Sequence, residues 1–287
     1  MKKILNRVVK FIKETNEFVC FLVALIIQGS FANPIKKKYS GTVAVLANGP
    51  SLKEVIPKLT TKEFENIDFI VMNFFALDDV FFKIKPKHYC LADPMFFKAN
   101  HRIDDVSKLF NILQNKVDWK LNLYLPSIRY KEFIAFSKLN NDNIQIVKTN
   151  YVGFRGYEVF RNYFYKKGLS SLGLSSVALL AIYIGIQCGY NEEQLYGVDH
   201  TFFDNLFVND KNQLYSKYSH FDTDKTVTTL SPLLRNDTDC FWRISDYIYQ
   251  QSKIFKNHDI SAKYAQYMNV LIINCTKNSL IDSYNRI

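Results

Sequence analysis

Short apolar runs, each ending in a polar side chain, recur along the chain and predict buried β-strands. Thr42-Val43-Ala44-Val45-Leu46-Ala47 runs into Asn48-Gly49-Pro50-Ser51, which predicts a strand, a tight loop and a helix starting near Ser51. Residues 68–73 and 87–93 repeat the pattern, ending in Asn73 and in Asp93 before Pro94. Residues 122–125 and 144–147 predict two more strands. From Ser175 to Cys188 the chain is apolar nearly all round, the mark of a helix buried against a sheet. Residues 193–199 predict a strand ending in Gly197-Val198-Asp199, residues 259–268 a helix, and residues 270–275 the closing strand. Ser279 is placed to cap a final short helix. Strands alternating with helical stretches predict an α/β fold, with a mostly parallel central sheet and helices on both faces, Rossmann-like. The polar, aromatic stretch at about 200–255 reads as a lid-like insertion.

In such sheets ligands bind beyond the carboxyl ends of the strands. Asn48, Asn73, Asp93 and Asp199 all fall at predicted strand ends, with Asn274 at the last. One such residue is an ordinary turn former. Their recurrence at one edge of one sheet points to a ligand.

Composition narrows the class. The chain has 287 residues, of which 48% are hydrophobic and 15% aromatic, enough for a sizeable core and too apolar for disorder. The net charge of +10 favours a polyanionic partner: nucleic acid, an acidic membrane surface, or a phosphorylated or acidic substrate. Zinc-finger spacing, an RNA-binding aromatic signature and a helix-turn-helix pattern are all absent, which argues against nucleic acid. The five widely spaced cysteines contain no CxxC, so they read as free thiols rather than a disulfide framework or structural zinc site.

Much of the positive charge lies in Lys2, Lys3, Arg7, Lys10 and Lys13, and then in Lys36, Lys37 and Lys38. Between them, residues 18–27 are apolar but too short for a normal membrane span. Residues 1–38 therefore read as a basic amphipathic segment lying on anionic lipid, joined by a linker to a domain over 39–287. Two other readings are a helix packed on the domain's own core and a signal peptide ending near Ser30-Phe31-Ala32.

Asn48-Gly49-Pro50-Ser51 carries the strongest chemical signal. Gly49 permits close backbone approach, Pro50 leaves no N–H unsatisfied, and Ser51 can cap a helix whose N-terminal amides favour phosphate. The string is neither the dinucleotide fingerprint nor a P-loop. His200, beside Asp199, is a candidate base or a structural histidine. His220, in Tyr218-Ser219-His220-Phe221, is a candidate general base because its pKa lies near neutrality. Asp222-Thr223-Asp224 and Asp237-Thr238-Asp239 match a D-x-D metal motif, but neither follows a convincing strand. No Gly-x-Ser-x-Gly elbow supports Ser-His-Asp hydrolysis. The serine-rich turn containing Ser170, Ser171, Ser175 and Ser176 reads as a loop entering the buried helix, open to a ligand.

In order, these pieces resemble the bacterial sialyltransferases of the Campylobacter type and the related domain of motility accessory factors. Asn48-Gly49-Pro50-Ser51-Leu52 is similar to the family's opening nucleotide loop, and Met72-Asn73-Phe74-Phe75 to its second strand end. Leu91-Ala92-Asp93-Pro94 resembles the third, where the family has Asn before Pro. Gly189-Tyr190, Gly197-Val198-Asp199, Ser219-His220 and Asn274-Cys275-Thr276-Lys277-Asn278-Ser279-Leu280 resemble its later motifs, and the likeness runs from about residue 41 to 287. The resemblance implies a GT-A-variant fold. It also implies inverting transfer of sialic acid, or a related nonulosonic acid or Kdo, from a CMP-sugar, with neither metal nor other cofactor.

The implied acceptor is a surface glycan or lipid-linked glycan. The implied site is His220 as base, with Asn48, Gly49, Pro50, Ser51, Asn73, Asp93, Ser175, Ser176, Gly197, Asp199, Asn278 and Ser279 around the donor. The family places Tyr hydroxyls on the leaving phosphate just after Gly-x-Asp, where this chain has His200-Thr201-Phe202-Phe203. Thr201, Tyr215 and Tyr218 are candidates for that role. The implied location is the cytoplasmic face of the inner membrane, and homo-oligomerisation stays open. Two alternatives keep the fold: transfer from another nucleotide-sugar, or a non-catalytic membrane-associated scaffold.

Overall fold

The computed structural model of the chain describes residues 2–29, 31, 34–98, 102–172, 175–204, 206–218, 229–235 and 240–286. The strands in chain order are β1 (Thr42–Leu46), β2 (Asp68–Met72), β3 (His88–Cys90), β4 (Leu121–Pro126), β5 (Ile144–Thr149) and β6 (Glu192–Tyr196). Then come β7 (Leu206–Val208), β8 (Leu214–Tyr218), β9 (Thr229–Pro232), β10 (Leu271–Asn274) and β11 (Asn285–Arg286). Eight of them form one sheet in the order β11-β10-β6-β1-β2-β3-β4-β5, and every neighbouring pair is parallel. The predicted α/β, Rossmann-like class is thus the observed one.

The central strands are apolar throughout because both faces are covered. Alternation assigns each side chain its face. Ala44, Leu46, Phe69 and Val71 enter one buried cluster, and Val43, Val45, Ile70 and Met72 enter the other. Helix α1 (Lys2–Gln28) precedes the sheet, and a short α2 (Val80–Ile84) follows β2. Helix α3 (Ile103–Asn115) buries Val106, Leu109, Phe110 and Leu113, the i, i+3, i+4, i+7 stripe of an amphipathic helix, and covers the first face with α4 (Tyr130–Ser137). Helix α5 (Glu158–Lys166) follows β5. Helix α6 (Val177–Cys188) is buried from Ala178 to Cys188, matching its all-apolar sequence, and covers the second face with α7 (Ile244–Met268).

Several expectations need correction. The helix expected from Ser51 is instead a series of 3-10 turns, Pro50–Glu54, Ile56–Lys58 and Lys62–Phe64. Pro57 supplies no N–H and crowds the preceding turn, so an α-helix cannot run through it. Ser51 is therefore not a cap; Gly49 holds that position. No helix follows Ser279, which is buried and bonds the backbone, and β11 rather than β10 forms the sheet edge. Helix α7 begins at Ile244, ahead of the expected residue 259, and takes the last part of the stretch read as an insertion. The remainder of that stretch contains a small antiparallel sheet, β7-β8-β9.

The N-terminal helix divides. Phe21 and Leu25 are buried with Val152, and Phe21 meets Phe154 and Phe164 at ring-centroid distances of 4.9 and 5.0 Å. For its C-terminal half the core-packing alternative holds. Residues such as Ile4, Leu5 and Ile12 in the other half are exposed. Lys38 and Tyr39 are anchored, their N–H groups both donating to Cys188 O. No described helix is long and apolar enough to cross a membrane.

Candidate functional site

Strands β1 to β5 are laid down outward on one side, and β6 then returns to the other flank of β1. The order reverses between β1 and β6, and the crevice at such a reversal is where parallel α/β sheets bind ligands. Leu46 pairs with Tyr196 of β6 and with Val71 of β2, and Met72 of β2 pairs with Cys90 of β3. The loops carrying Asn48, Asn73, Asp93 and Asp199 therefore emerge from neighbouring strands at the same edge.

At the reversal the two loops are tied together. Gly49 N–H donates to Gly197 O at 2.8 Å, and Ser51 Oγ donates to Asp199 Oδ2 at 2.9 Å. Ser51 N–H approaches Asp199 Oδ1 at 3.3 Å. A Cβ on Gly49 would sit 1.8 Å from Asp199 Oδ2, so this glycine makes room for a carboxylate of the chain itself. Gly197 holds φ +69°, and a Cβ there would lie 2.5 Å from Ala47 O. Burial raises the pKa of Asp199, and the Ser51 hydrogen bonds oppose that rise. Asp199 is thus a loop tie.

Asn48 and Asn73 differ from it. The Oδ1 atoms of both are buried and meet no hydrogen-bond donor. Asn73 also holds left-handed backbone at φ 50°, fixed by its N–H donating to Cys90 O at 3.2 Å and by the Tyr89 hydroxyl donating to its carbonyl. A buried acceptor without a donor costs about 1–3 kcal/mol. Two of them at adjacent strand ends are the clearest sign of a ligand here.

The other predicted residues separate. Asp93 caps its own turn, Oδ1 accepting from Met95 N–H at 3.2 Å. Asn274 accepts from Thr276 N–H and donates to Ile281 O, bracing the final loop, and Ser279 Oγ donates to Val198 O at 2.7 Å, tying that loop to the one after β6. Asn278 is exposed in left-handed backbone. Pro50 is exposed at the first position of its turn. Ser176 caps α6, accepting from Ala178 N–H, and Ser175 Oγ accepts from Asn257 Nδ2 at 3.0 Å. Since α6 ends just before β6 begins, its N-terminus lies toward the carboxyl edge, where its dipole favours an anion. Thr201 is half-buried, and its carbonyl accepts from Asp204 N–H. Tyr215 belongs to the small sheet, stacked on Phe207 at 5.5 Å. His220, the Tyr218 side chain and both D-x-D segments lie outside the described residues. Among the described residues no three His, Cys, Asp or Glu side chains gather as a metal cage.

A cleft of about 570 Å³ opens at the opposite edge, lined by Lys38, Lys87 and Lys120 among others. Lys87 pairs with Asp68 at 2.6 Å, and Lys120 donates to Asp142 O.

Sequence reasoning missed a buried chain behind Asp199. His200 Nε2 lies 2.9 Å from His258 Nε2, and His258 Nδ1 lies 2.8 Å from the Tyr284 hydroxyl. It also missed Glu193, wholly buried with neither carboxyl oxygen bonded, whose pKa burial pushes well up. Its strand opens Glu192-Glu193-Gln194, so nothing in the sequence signalled that one of these polar side chains is buried.

Fold and strand ends together define a Rossmann-like α/β protein with a candidate ligand site at its switch point. No protein-family model matches the chain, and a search of curated proteins gives no match.

Proposed function

We propose that the chain is an inverting glycosyltransferase that passes an acidic sugar from a CMP-sugar to a glycan or lipid-linked acceptor. The observation carrying this reading is the pair of buried, undonated amide oxygens of Asn48 and Asn73 beside the strand reversal. They call for a ligand rich in donors, which the ribose hydroxyls and cytosine amino group supply. The N-terminal amides of α6, toward the same edge, suit the phosphate. CMP leaves as a monophosphate, whose charge hydrogen-bond donors can stabilise without a metal. His220 takes the proton from the acceptor hydroxyl.

The enzyme works at a membrane surface. Ile4, Val8, Ile12, Val19, Val23 and Ile26 share one side of α1 by helical spacing and are exposed along its length. Lys2, Lys3, Arg7, Lys10 and Lys13 complement anionic lipid beside lipid-linked acceptors.

The test is thermal stabilisation of the full chain by CMP, CDP, UDP and GDP. Selective stabilisation by CMP is expected. Selective stabilisation by a diphosphate redirects the donor, and no shift with any of them overturns the transferase reading. His220→Ala is expected to abolish transfer from CMP-sialic acid while leaving CMP binding nearly intact.

A further inference from the structure

His200 follows Asp199 directly and holds left-handed backbone at φ 52°. That conformation is costly for a residue with a Cβ and persists only where the surroundings impose it. Here it sends the imidazole into an aromatic slot, stacked on Phe202 at 4.9 Å and set edge-on to Phe255. The ring reaches His258 on α7, and His258 reaches Tyr284 just before β11.

Proton counting leaves two directions for this chain, and donor and acceptor strength choose between them. Burial lowers the pKa of His200 to about 4, and burial together with its neighbour His200 takes His258 lower still. Both rings are therefore neutral near pH 7, and a neutral imidazole carries one N–H. The two facing Nε2 atoms share a single hydrogen. Burial also raises the Tyr284 phenol, so it keeps its proton. That hydroxyl is assigned as donor to Nδ1 of His258 rather than to the Ser261 hydroxyl beside it, because an imidazole nitrogen is the stronger acceptor and a phenol a stronger donor than an imidazole N–H. His258 then carries its hydrogen on Nε2 and donates it to Nε2 of His200. The hydrogen of His200 is left on Nδ1, and none of the described residues takes it.

We propose that His200 Nδ1–H is a neutral hydrogen-bond donor to a phosphate oxygen of the bound nucleotide, held in that tautomer by His258 and Tyr284 as positioning residues. The proposal rests on the nucleotide site described above. It places a donor directly after Gly197-Val198-Asp199, one residue beyond the carboxylate that ties the β1 loop to the β6 loop. No proton changes hands: the donor stabilises developing negative charge on the leaving phosphate while staying neutral itself.

Two measurements on the full chain decide it. In the first, long-range ¹⁵N–¹H spectra of ¹⁵N-histidine-labelled protein report the tautomer with and without CMP. His200 is expected to carry hydrogen on Nδ1, to shift on CMP addition, and to lose its fixed tautomer in Tyr284→Phe. A wild-type His200 with hydrogen on Nε2 in the CMP complex overturns the proposal. In the second, calorimetry compares CMP with cytidine, which lacks the phosphate. His200→Ala is expected to weaken CMP by about tenfold or more and to leave cytidine unchanged. His258→Gln is expected to weaken CMP selectively by a smaller factor. Equal losses for CMP and cytidine overturn the phosphate contact while leaving the nucleotide site standing. Failure of wild-type protein to bind either compound overturns the site and this proposal together.

Discussion

Ser51 and Asp199 lie 148 positions apart and share a 2.9 Å hydrogen bond across the point where the strand order reverses. The bond joins the loop after β1 to the loop after β6. It therefore fixes the two loops relative to each other.

Asp199→Asn is expected to destabilise the protein by about 1–3 kcal/mol, and Ser51→Ala by about 1 kcal/mol. The double variant is expected to lose less than the sum, because the second change finds the bond already gone. Urea unfolding of the three variants checks this, and strictly additive losses would show that the bond contributes nothing. Gly49→Ala is expected to cost more than Ser51→Ala, since its new methyl would lie 1.8 Å from Asp199 Oδ2.

Acid is expected to destabilise the fold ahead of carboxylate protonation. His88, His200 and His258 are all lowered by burial from 6.5, His88 and His200 to about 4. As the pH falls through 6.5 the unfolded chain takes up protons at these sites and the folded chain resists. Their contribution is thus full above pH 6.5 and is lost between there and about pH 4, by about 1.4 kcal/mol per group per pH unit. Glu193 acts in the opposite sense. The folded state keeps a proton that the unfolded chain releases above 4.5, so its effect worsens as the pH rises. Three histidines outweigh one glutamate, and the urea midpoint is expected to drop from pH 7 to pH 5. Glu193→Gln is expected to raise the midpoint at pH 8, with little change at pH 5. An unchanged midpoint at pH 8 would remove the buried ionisation from the account.

The two halves of α1 are expected to respond differently. Phe21→Ala opens the contact with Phe154 and Phe164 and is expected to cost about 3 kcal/mol, read as a lowered melting temperature. Deleting residues 2–13 is expected to leave the melting temperature within a degree or two of wild type, because their apolar side chains are exposed. The same deletion is expected to weaken sedimentation with phosphatidylglycerol vesicles, since it removes half of the exposed apolar side and the basic residues beside it. Undiminished sedimentation would move the membrane contact elsewhere.

The strands, the buried helix α6 and the polar edge were legible in the chain because each depends on local periodicity. Val43 to Leu46 and Ile70 to Met72 are apolar at every position only because both faces are covered, and that needs no knowledge of partners. Asn48 and Asn73 could be placed at strand ends for the same reason. Local pattern does not say which strand lies beside which, so it could not separate Asn48 and Asn73, whose amide oxygens stay undonated, from Asp93 and Asn274, which bond within their own loops, or from Ser279, which bonds the distant Val198.

Tertiary structure alone decided the rest. Ser51 looked like a helix cap until Pro57 broke the helix and Asp199 arrived from a distant strand. His200 and His258, 58 positions apart, meet only because α7 packs back across the sheet. The N-terminal helix reads as amphipathic from its sequence, but which flank faces the domain was set by Phe154 and Phe164, more than a hundred residues away. Periodicity is a property of neighbours along the chain. The pairing of buried polar groups is a property of neighbours in space, and only folding creates those.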